Sequence, residues 1–347
     1  METNEPKELP AMEKNTKHEK LTSIEMGKLW ATYMGNSMSV CMLSYYLKHV
    51  EDEEIKNVLT EALVISNTIL QGITTIFTKE SFPIPIGFND KDVNPEAPRL
   101  FEDQFYLHYL RYAGKAGLSL YTMAAPLVLR KDVRDFFIQI LNLTVILLTK
   151  VNEVIIAKGF LMKPPPIPIP EKVDFIQKQN YLNGFFGNVR PLHALEITHL
   201  YDNIDNNLTS KALLIGFSQT AKTEKIREFM LRGKEIANKH VEACAQHLQK
   251  DHLPTLPLLD HLVSTSTVAP FSDKLMLFHK IDMFSMKIRS YANGASLNGR
   301  RDIGAMYARF LMDVSLFVED GANIMIEHGW MEQPPEAVDR DHLVSKE

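Results

Sequence analysis

The chain matches itself when it is shifted by about half its length, and this repeat constrains the fold more than any other feature. Residues 21–86 align without a gap on residues 192–257 at an offset of 171, and residues 101–165 align on residues 271–335 at an offset of 170. Identity is modest, but aligned apolar positions stay apolar. A repeat of this length indicates two whole domains and not a solenoid of short units.

Each repeat is predicted to form four helices, here called helices A to D. In the first repeat a capping box opens helix A, because Thr22 can cap the backbone and Glu25, three residues later, can reach back. Helix A runs to about His49 and helix B from about Asp52 to Lys79. No stretch alternates well enough to predict a sheet.

The second helical pair of the first repeat follows a long loop. That loop is rich in Pro, Gly, Asn and Asp and precedes helix C, which is predicted over residues 99–129. Asp132 is expected to cap helix D. The apolar face of helix D recurs at helical spacing: Val133, Phe137, Ile140, Leu147, Val151 and Ile155.

The lengths of the connections predict the topology. Helices A–B and C–D are joined by a few residues, so each pair is expected to be an antiparallel hairpin. The loop between B and C can reach roughly 60 Å at about 3.3 Å per residue, enough to cross the full length of a helix. This pattern predicts an all-α chain, a tandem duplication of a ferritin-like four-helix bundle with a long B–C crossover in each half. An up-down bundle with one long loop is the alternative.

Two similar helix stops end the repeats. In KGFLMKPP and HGWMEQPP, Gly159 and Gly329 can adopt the left-handed conformation that closes a helix. Phe160 and Trp330 can then fold back on the last turn, and the following prolines prevent continuation.

These signals divide the chain into five predicted parts. They are a disordered tail (1–20), a first bundle (21–162), a Pro-rich linker with a short helical segment (163–190), a second bundle (191–332) and a C-terminal tail (333–347). The linker is expected to be stiff and extended at its start and to pack near the second bundle. We expect the halves to pack as a pseudo-dimer, with homodimerisation as a further expectation.

Composition indicates which partners are not expected and in which cellular compartment the protein is expected. The formal net charge of −5 argues against nucleic-acid binding, which normally needs a basic surface. With only two cysteines, Cys41 and Cys244, a disulfide scaffold is not expected, and buried free thiols are. The polar N-terminus has no signal-peptide pattern. The most apolar stretch, around residues 136–160, contains Gln, Asn, Lys and Glu, so we expect no transmembrane segment and a cytoplasmic protein.

A ferritin-like prediction raises the question of a metal. Di-iron members need Glu on two helices and Glu-x-x-His on the other two. The one match is EITH, from Glu196 to His199, near the start of helix A of the second repeat, and its counterpart EMGK places Glu25 at the capping box. We therefore expect no metal ligands, no cofactor and no catalytic residues. A metal-binding oxidoreductase that uses Glu196 and His199 is the alternative.

Other polar residues fit structural roles. His279 and Asp282 are three apart on helix C of the second repeat and are expected to be an exposed or hydrogen-bonded pair in that half alone. His240 and His247 are expected on a solvated face of helix B. Asn36 and Asn207 occupy equivalent positions and are expected in or beside each core, hydrogen-bonded across helices.

Several phrases resemble a known family. SFPIPIGFNDKDVNPEAPRLFEDQF, EITHLYDNI, KALLIGFSQTAKTEKIREFMLRGKEIANKH and EDGANIMIEHGWMEQPPEAVDR are similar to the domain-of-unknown-function 3231 family of spore-forming Firmicutes, over residues 21–340. The resemblance implies a ferritin-like fold and an association with the spore coat. It carries no established catalytic residues.

The function expected from these observations is non-enzymatic: a structural or interaction protein of sporulation, associated with the spore and with other coat proteins. Two alternatives stay open. One is the metal-binding oxidoreductase, and the other is a carrier with an apolar pocket between helices for a small molecule or lipid.

Overall fold

The computed structural model describes residues 19–297 and 299–344. Within these ranges the chain is helical, with strand pairing limited to isolated bridges. All but Glu19 and Lys20 of the predicted N-terminal tail lies outside the described residues. The helices are α1 (Ser23–His49), α2 (Glu53–Lys79), α3 (Asp103–Ala124), α4 (Lys131–Ala157), α5 (Ala194–Thr220), α6 (Glu224–Lys250), α7 (Asp273–Leu297), α8 (Arg301–Glu327) and a short α9 (Arg340–Val344).

The helices begin and end near the positions that the sequence predicts. The capping box at α1 is present, with Thr22 at the N-cap and the Glu25 side chain accepting from its backbone. Helix α3 is shorter at both ends than the predicted helix C. The prediction that Asp132 caps α4 is wrong: Arg130 is the N-cap, and Asp132 in the first turn accepts from the Arg130 guanidinium at 2.8 Å.

Each half has the predicted order of short, long and short connections. Helices α1 and α2 form one hairpin and α3 and α4 the next, and the residues between α2 and α3 run back along the half. At one end Asp103 accepts from the backbone of Asp52 at 2.7 Å. At the other end the Arg130 backbone donates to Glu25 at 2.9 Å. Helices α1 and α3 are therefore antiparallel, and the crossover between α2 and α3 spans the length of the half.

Both predicted helix stops are present. Gly159 and Gly329 have φ of +69° and +64°, a conformation that a residue with a side chain rarely adopts. The backbone amides of Phe160 and Trp330 donate to Ile155 and Met325 at 3.0 and 2.8 Å, which is the bond that closes a helix in the Schellman motif. Both rings pack against the core.

The halves contact each other through equivalent residues. Two isolated bridges join the halves, Val93–Phe271 and Phe101–Val263. At the repeat offset of 170, Val93 is equivalent to Val263 and Phe101 to Phe271, so each bridge is the counterpart of the other. The flanking backbone bonds are reciprocal as well: the Glu102 amide donates to Leu262 at 2.9 Å, and the Ser272 amide donates to Asp92 at 2.9 Å. On α3 and α7, Tyr109 lies against its own counterpart, His279, with 3.0 Å between the hydroxyl and Nε2. Contacts of this kind define a local pseudo-twofold axis between the halves.

The hydrophobic core does not stop at the boundary between the halves. One continuous cluster of buried apolar side chains includes Tyr46 and Phe105 of the first half and Phe217 and Phe310 of the second. A second cluster, around Phe77 and Phe137, fills the far end of the first half. The repeat alone predicts two separate cores. The crossovers merge them, because Phe101 and Phe271 are fully or almost fully buried where the crossovers pair.

Two segments outside this core differ in how they pack. The linker contains one short turn of helix, Gln179–Leu182, and Gly184 lies so close to Asp302 that an added Cβ would be 2.0 Å from its carboxylate oxygen. The linker therefore packs on the second half, as predicted. Helix α4 is long and apolar enough to span a membrane by length and composition, with a mean hydropathy of 1.8 in its most apolar window. One such helix is weak evidence, since core helices pass the same test.

Candidate functional site

The first half contains a cavity of about 270 Å³ between its four helices, and α7 of the second half forms part of the wall. Apolar side chains, among them Leu43, Ile69 and Leu147, make most of the lining. The α3 residues that line it are partly exposed from Ala113 to Leu120, so the cavity communicates with the surface. Natural interiors contain few voids larger than a water molecule. A void of this size therefore needs an explanation.

A pair of hydrogen-bonded polar residues lies at the wall of this cavity. The Asn36 amide nitrogen donates to the Thr32 carbonyl at 2.8 Å and to the Tyr121 hydroxyl at 3.2 Å. In the second half Asn207 makes the same two bonds, to the Asn203 carbonyl at 2.7 Å and to the Tyr291 hydroxyl at 2.9 Å. The prediction that one Asn per half lies in the core and bonds across helices is confirmed.

The second half fills the space beside its Asn–Tyr pair with a lysine. Lys287 is 1% exposed, its Nζ donates to Asn207 Oδ1 at 2.9 Å, and it lies 3.9 Å from the centre of the Phe284 ring. The position equivalent to Lys287 in the first half is Gly117, which lines the cavity. The cavity therefore includes the volume that Lys287 occupies in the other half.

The substitution of small for large residues extends along the whole wall. Three further positions of α3 that line the cavity carry Gly or Ala where α7 carries bulky residues. These pairs are Ala113 with Met283, Gly114 with Phe284, and Ala116 with Met286. At Gly114 part of that space is taken by Leu148 of α4, since an added Cβ would lie 2.6 Å from its Cδ2, and the cavity remains beside Gly117.

Charged groups reach the cavity from the second half. Asp282 and Arg289 on α7 both line it, and Arg289 Nε donates to the Ser119 hydroxyl at 2.7 Å. Burial raises the pKa of Asp282 above its ordinary value, while Arg289 opposes that shift. The position equivalent to Asp282 is Tyr112, whose hydroxyl donates to the Met283 carbonyl at 3.2 Å. Equivalent positions thus carry different groups: the long Tyr112 side chain packs on the second half, and the short Asp282 carboxylate lines the cavity of the first half.

The structure separates His279 from Asp282. His279 is fully buried against Tyr109, its pKa is held well below the ordinary value by burial, and Asp282 lines the cavity of the other half. The prediction that the two residues form an exposed or hydrogen-bonded pair is therefore wrong, because His279 is buried and its partner is Tyr109. Sequence reasoning also missed Gly117, and aligning it with Lys287 in the repeat would have revealed it.

The prediction of a solvated face for His240 is wrong. His240 is 0% exposed and part of a buried network, in which Nδ1 lies 2.9 Å from the Tyr291 hydroxyl and Nε2 lies 3.3 Å from Asp313. Burial, with Lys287 adding to it, lowers the pKa of His240 to about 4. His247 is also largely shielded, beside Asp302. Helix α6 therefore directs both histidines inward, and His240 has hydrogen-bonding partners there.

Glu196 and His199 have different environments. The Glu196 carboxylate is fully buried and accepts from two Arg190 nitrogens at 2.7 and 2.8 Å, from the His193 amide at 3.0 Å and from the Arg300 amide at 3.1 Å. Burial alone would raise the pKa of Glu196, but the hydrogen bonds from Arg190 and His193 hold it below its ordinary value. This arrangement is a helix cap with a bidentate ion pair. His199 is only partly buried.

Among residues 19–297 and 299–344, no group of three or more His, Cys, Asp or Glu side chains is placed to hold a metal ion. Cys41 and Cys244 are buried free thiols, as predicted. Burial, aided by Asp92 and Asp90, raises the pKa of Cys41 to about 12, so this thiol is a poor nucleophile. The first-half cavity offers both space and an unpaired polar group, the Thr32 hydroxyl.

Comparison with known proteins identifies the family to which this chain belongs. A family model described as a protein of unknown function (DUF3231) matches residues 11–173 and again residues 180–343, so the duplication is shown. No curated protein matches the chain. A solved structure from Bacillus halodurans, called a "putative spore coat protein", is similar over 43% of this chain and 98% of its own, with 14% identity and a TM-score of 0.40.

Proposed function

We propose that this chain, which belongs to the DUF3231 family of proteins of unknown function, binds a small molecule in the first-half cavity. One observation carries the proposal. The void lies where the other half of the same chain is filled, so the framework tolerates an occupant of that size. A cavity of about 270 Å³ exceeds the roughly 150 Å³ that suffices to bind benzene in a protein interior.

The polar groups on the wall support a ligand that is not purely apolar. The Thr32 hydroxyl is buried without a hydrogen-bond partner among the described residues, and Thr32 lines the cavity. Leaving a buried hydroxyl unpaired costs about 1–3 kcal/mol, a loss that a polar group on a ligand would remove. A mostly apolar pocket with a few convergent polar groups is the usual form of a small-molecule site.

The experiment fills the cavity from the protein side. Ala113→Met introduces the residue that stands at the equivalent position of the second half, and Ala157→Met, at the exposed end of α4, is the matched control. Native mass spectrometry after mild purification, and thermal shifts with n-butanol as a neutral probe, measure occupancy. We expect a co-purified ligand or a butanol-dependent rise in Tm for the wild type and the control, and neither for Ala113→Met. No binding to the wild type would contradict the proposal.

A role in the spore is a second proposal. Its support is the resemblance of four long phrases of this sequence to the family of spore-forming Firmicutes, and the double match of the family model. A ferritin-like ancestry belongs to the same proposal, supported by the antiparallel hairpins and the full-length crossover. Immunodetection in purified spore coats tests it: an equal amount in vegetative cells and none in coats would contradict it.

A further inference from the structure

The second half contains its own occupant, which indicates what the first half can take. The Lys287 side chain is a chain of four methylene groups that ends in an amine, and the amine lies at 2.9 Å from Asn207 Oδ1 beside Tyr291. Chemically this occupant is a covalently attached butylamine. It shows that the Asn–Tyr pair of this fold accepts an amine delivered along α7.

The first half presents the equivalent acceptor without the amine. Asn36 makes the equivalent bond to Tyr121, but in the described part of the chain no hydrogen bond reaches Asn36 Oδ1, whereas Asn207 Oδ1 accepts from Lys287 and from Tyr291. Asn36 is 8% exposed and Thr32, one turn earlier, is 1% exposed. Gly117 leaves open the path along which a lysine would have reached them.

The first half also adds a negative charge that the second half lacks. Asp282 lines the cavity and has no hydrogen bond or ion pair with another described residue, and its charge raises the pKa of Tyr121 beyond the effect of burial. Lys287 has no carboxylate within ion-pair distance among the described residues, and burial and Lys280 hold its pKa well below the ordinary value. A free amine in the first-half cavity would have a carboxylate as counter-ion.

Apolar walls complete the receptor. Ile69, Leu43 and Leu147 surround the middle of the cavity, which suits an alkyl chain. Arg289 also lines the cavity, but its Nε is engaged by Ser119 at 2.7 Å. Asp282 and Arg289 therefore place opposite charges on this wall, and the Asp282 carboxylate, which has no hydrogen bond to another described residue, is the group that a cationic ligand would contact.

From this geometry we infer that the first-half cavity, on the proposed small-molecule function, binds a primary alkylammonium of about the size of a lysine side chain. The ammonium donates to Asn36 Oδ1 and pairs with Asp282. The alkyl chain lies in the volume that Gly117 leaves open. The chemical class is an aliphatic amine, and the carbon chain is short because the cavity is small.

The test compares three probes of one length on the full chain by isothermal titration: n-butylammonium, n-butanol and butyrate. We expect butylammonium to bind at least about tenfold more tightly than butanol, since a charge-assisted hydrogen bond is roughly twice as strong as a neutral one. Butyrate should bind more weakly than butanol. Butylammonium that binds no more tightly than butanol overturns the inference.

Two variants locate the binding. Asp282→Asn should weaken butylammonium about tenfold and leave butanol unchanged. Gly117→Lys introduces the second-half occupant and should abolish binding of both probes. Its matched control is Gly27→Lys on α1, where an added Cβ meets nothing within 4 Å. Circular dichroism and Tm show whether Gly117→Lys folds, and if it does not, the Asp282→Asn result decides.

The outcomes separate this inference from the function on which it rests. Butanol binding that Gly117→Lys abolishes, with no preference for the amine and no effect of Asp282→Asn, keeps the small-molecule function and overturns the amine. No binding of any probe overturns both. Amine binding that Gly117→Lys leaves intact places the amine outside the cavity and also overturns the inference.

Discussion

The two halves share a polar pair at their centres and differ in what surrounds it. In the second half Asn207 holds Lys287 and Tyr291 in a closed network with His240, all of them nearly or fully buried. In the first half Asn36 faces a cavity. One backbone framework thus supports both a packed polar centre and an open one. The difference lies in side-chain volume at a few positions of α3 and α7, and not in the course of the chain.

The largest expected effect comes from removing the shared asparagine in each half. Asn207→Ala leaves the Lys287 amine buried without its hydrogen-bond partner and removes one of the two partners of the Tyr291 hydroxyl, so the free energy of unfolding should fall by about 3 kcal/mol. Asn36→Ala leaves one hydroxyl, that of Tyr121, beside an open cavity and should cost about 1 kcal/mol. Urea denaturation measures both. Equal losses would show that the two centres are energetically alike.

The pH dependence of stability should come from the second half. Burial lowers the pKa of Lys280 from its ordinary 10.5 to about 7. Between these values the unfolded chain holds the extra proton, so the stability that depends on Lys280 is lost as the pH falls from about 10.5 to about 7, and this contribution changes no further below it. Lys280→Leu, which introduces the residue of the first half (Leu110), should remove the part of this pH-dependent loss that Lys280 contributes.

Unfolding at several pH values gives the comparison for Lys280→Leu. Lys131→Leu on exposed α4 is the control, because the Lys131 side chain is 80% exposed and its removal should leave the profile unchanged. A wild-type profile that is flat across this range, or a Lys280→Leu profile as steep as that of the wild type, would contradict the prediction.

The contact between the halves is itself asymmetric. Asp205 on α5 accepts from Arg111 and Lys115 of α3, both at 3.0 Å, whereas the equivalent position in the first half is the apolar Met34. Asp205→Asn should cost about 1–2 kcal/mol, since it leaves two cations at a partly buried interface. Its effect should shrink in high salt, because salt screens charges that reach solvent.

The matched control for Asp205→Asn is Glu61→Gln, which removes an exposed ion pair with Lys150 within the first half. Exposed pairs are worth about 0–1 kcal/mol, so this change should be close to neutral. If both substitutions cost the same in urea denaturation, the Asp205 cluster does not hold the halves together.

The smallest expected difference lies at the helix caps. Thr22→Ala removes a hydroxyl that accepts a hydrogen bond from the Glu25 amide and donates one to the Glu25 carboxylate at 2.7 Å. This change should lower the free energy of unfolding by about 1 kcal/mol. In the second half the cap is His193, whose Nδ1 accepts from the Glu196 amide at 3.2 Å. His193→Ala should cost about 0.5 kcal/mol, because Arg190 continues to hold Glu196. Thermal unfolding should rank the two variants, and the reverse order would contradict the prediction.

Much of the fold follows from local sequence. The positions of α1 and α2 are fixed by Thr22, Asp52 and the prolines after α2, and the helix stops by glycines that need a positive φ. These features are local, so a single sequence suffices to see them. The start of α4 shows the limit: an Asp near a helix start suggests a cap, but Arg130 draws Asp132 into an ion pair instead.

The site was harder to predict because it is defined by missing volume. Side chains that do chemistry can be recognised one at a time, and Glu196 with His199 attracted notice for that reason. A cavity depends on which small residues face one another in three dimensions. A single glycine in a helix, such as Gly117, indicates missing volume only when it is compared with Lys287 at the equivalent position. Asp282 lies in the second half of the sequence, and only the packing of the halves places it at the first-half cavity.

The covalent joining of the halves has a consequence for how such a cavity can arise. In an association of two identical subunits, a mutation at one centre appears at the other, so a lysine at both or a glycine at both would be the available states. Here positions 117 and 287 belong to one polypeptide and can mutate independently. The second half can then keep a filled interior that maintains the fold, while the first half can evolve a cavity by independent substitution.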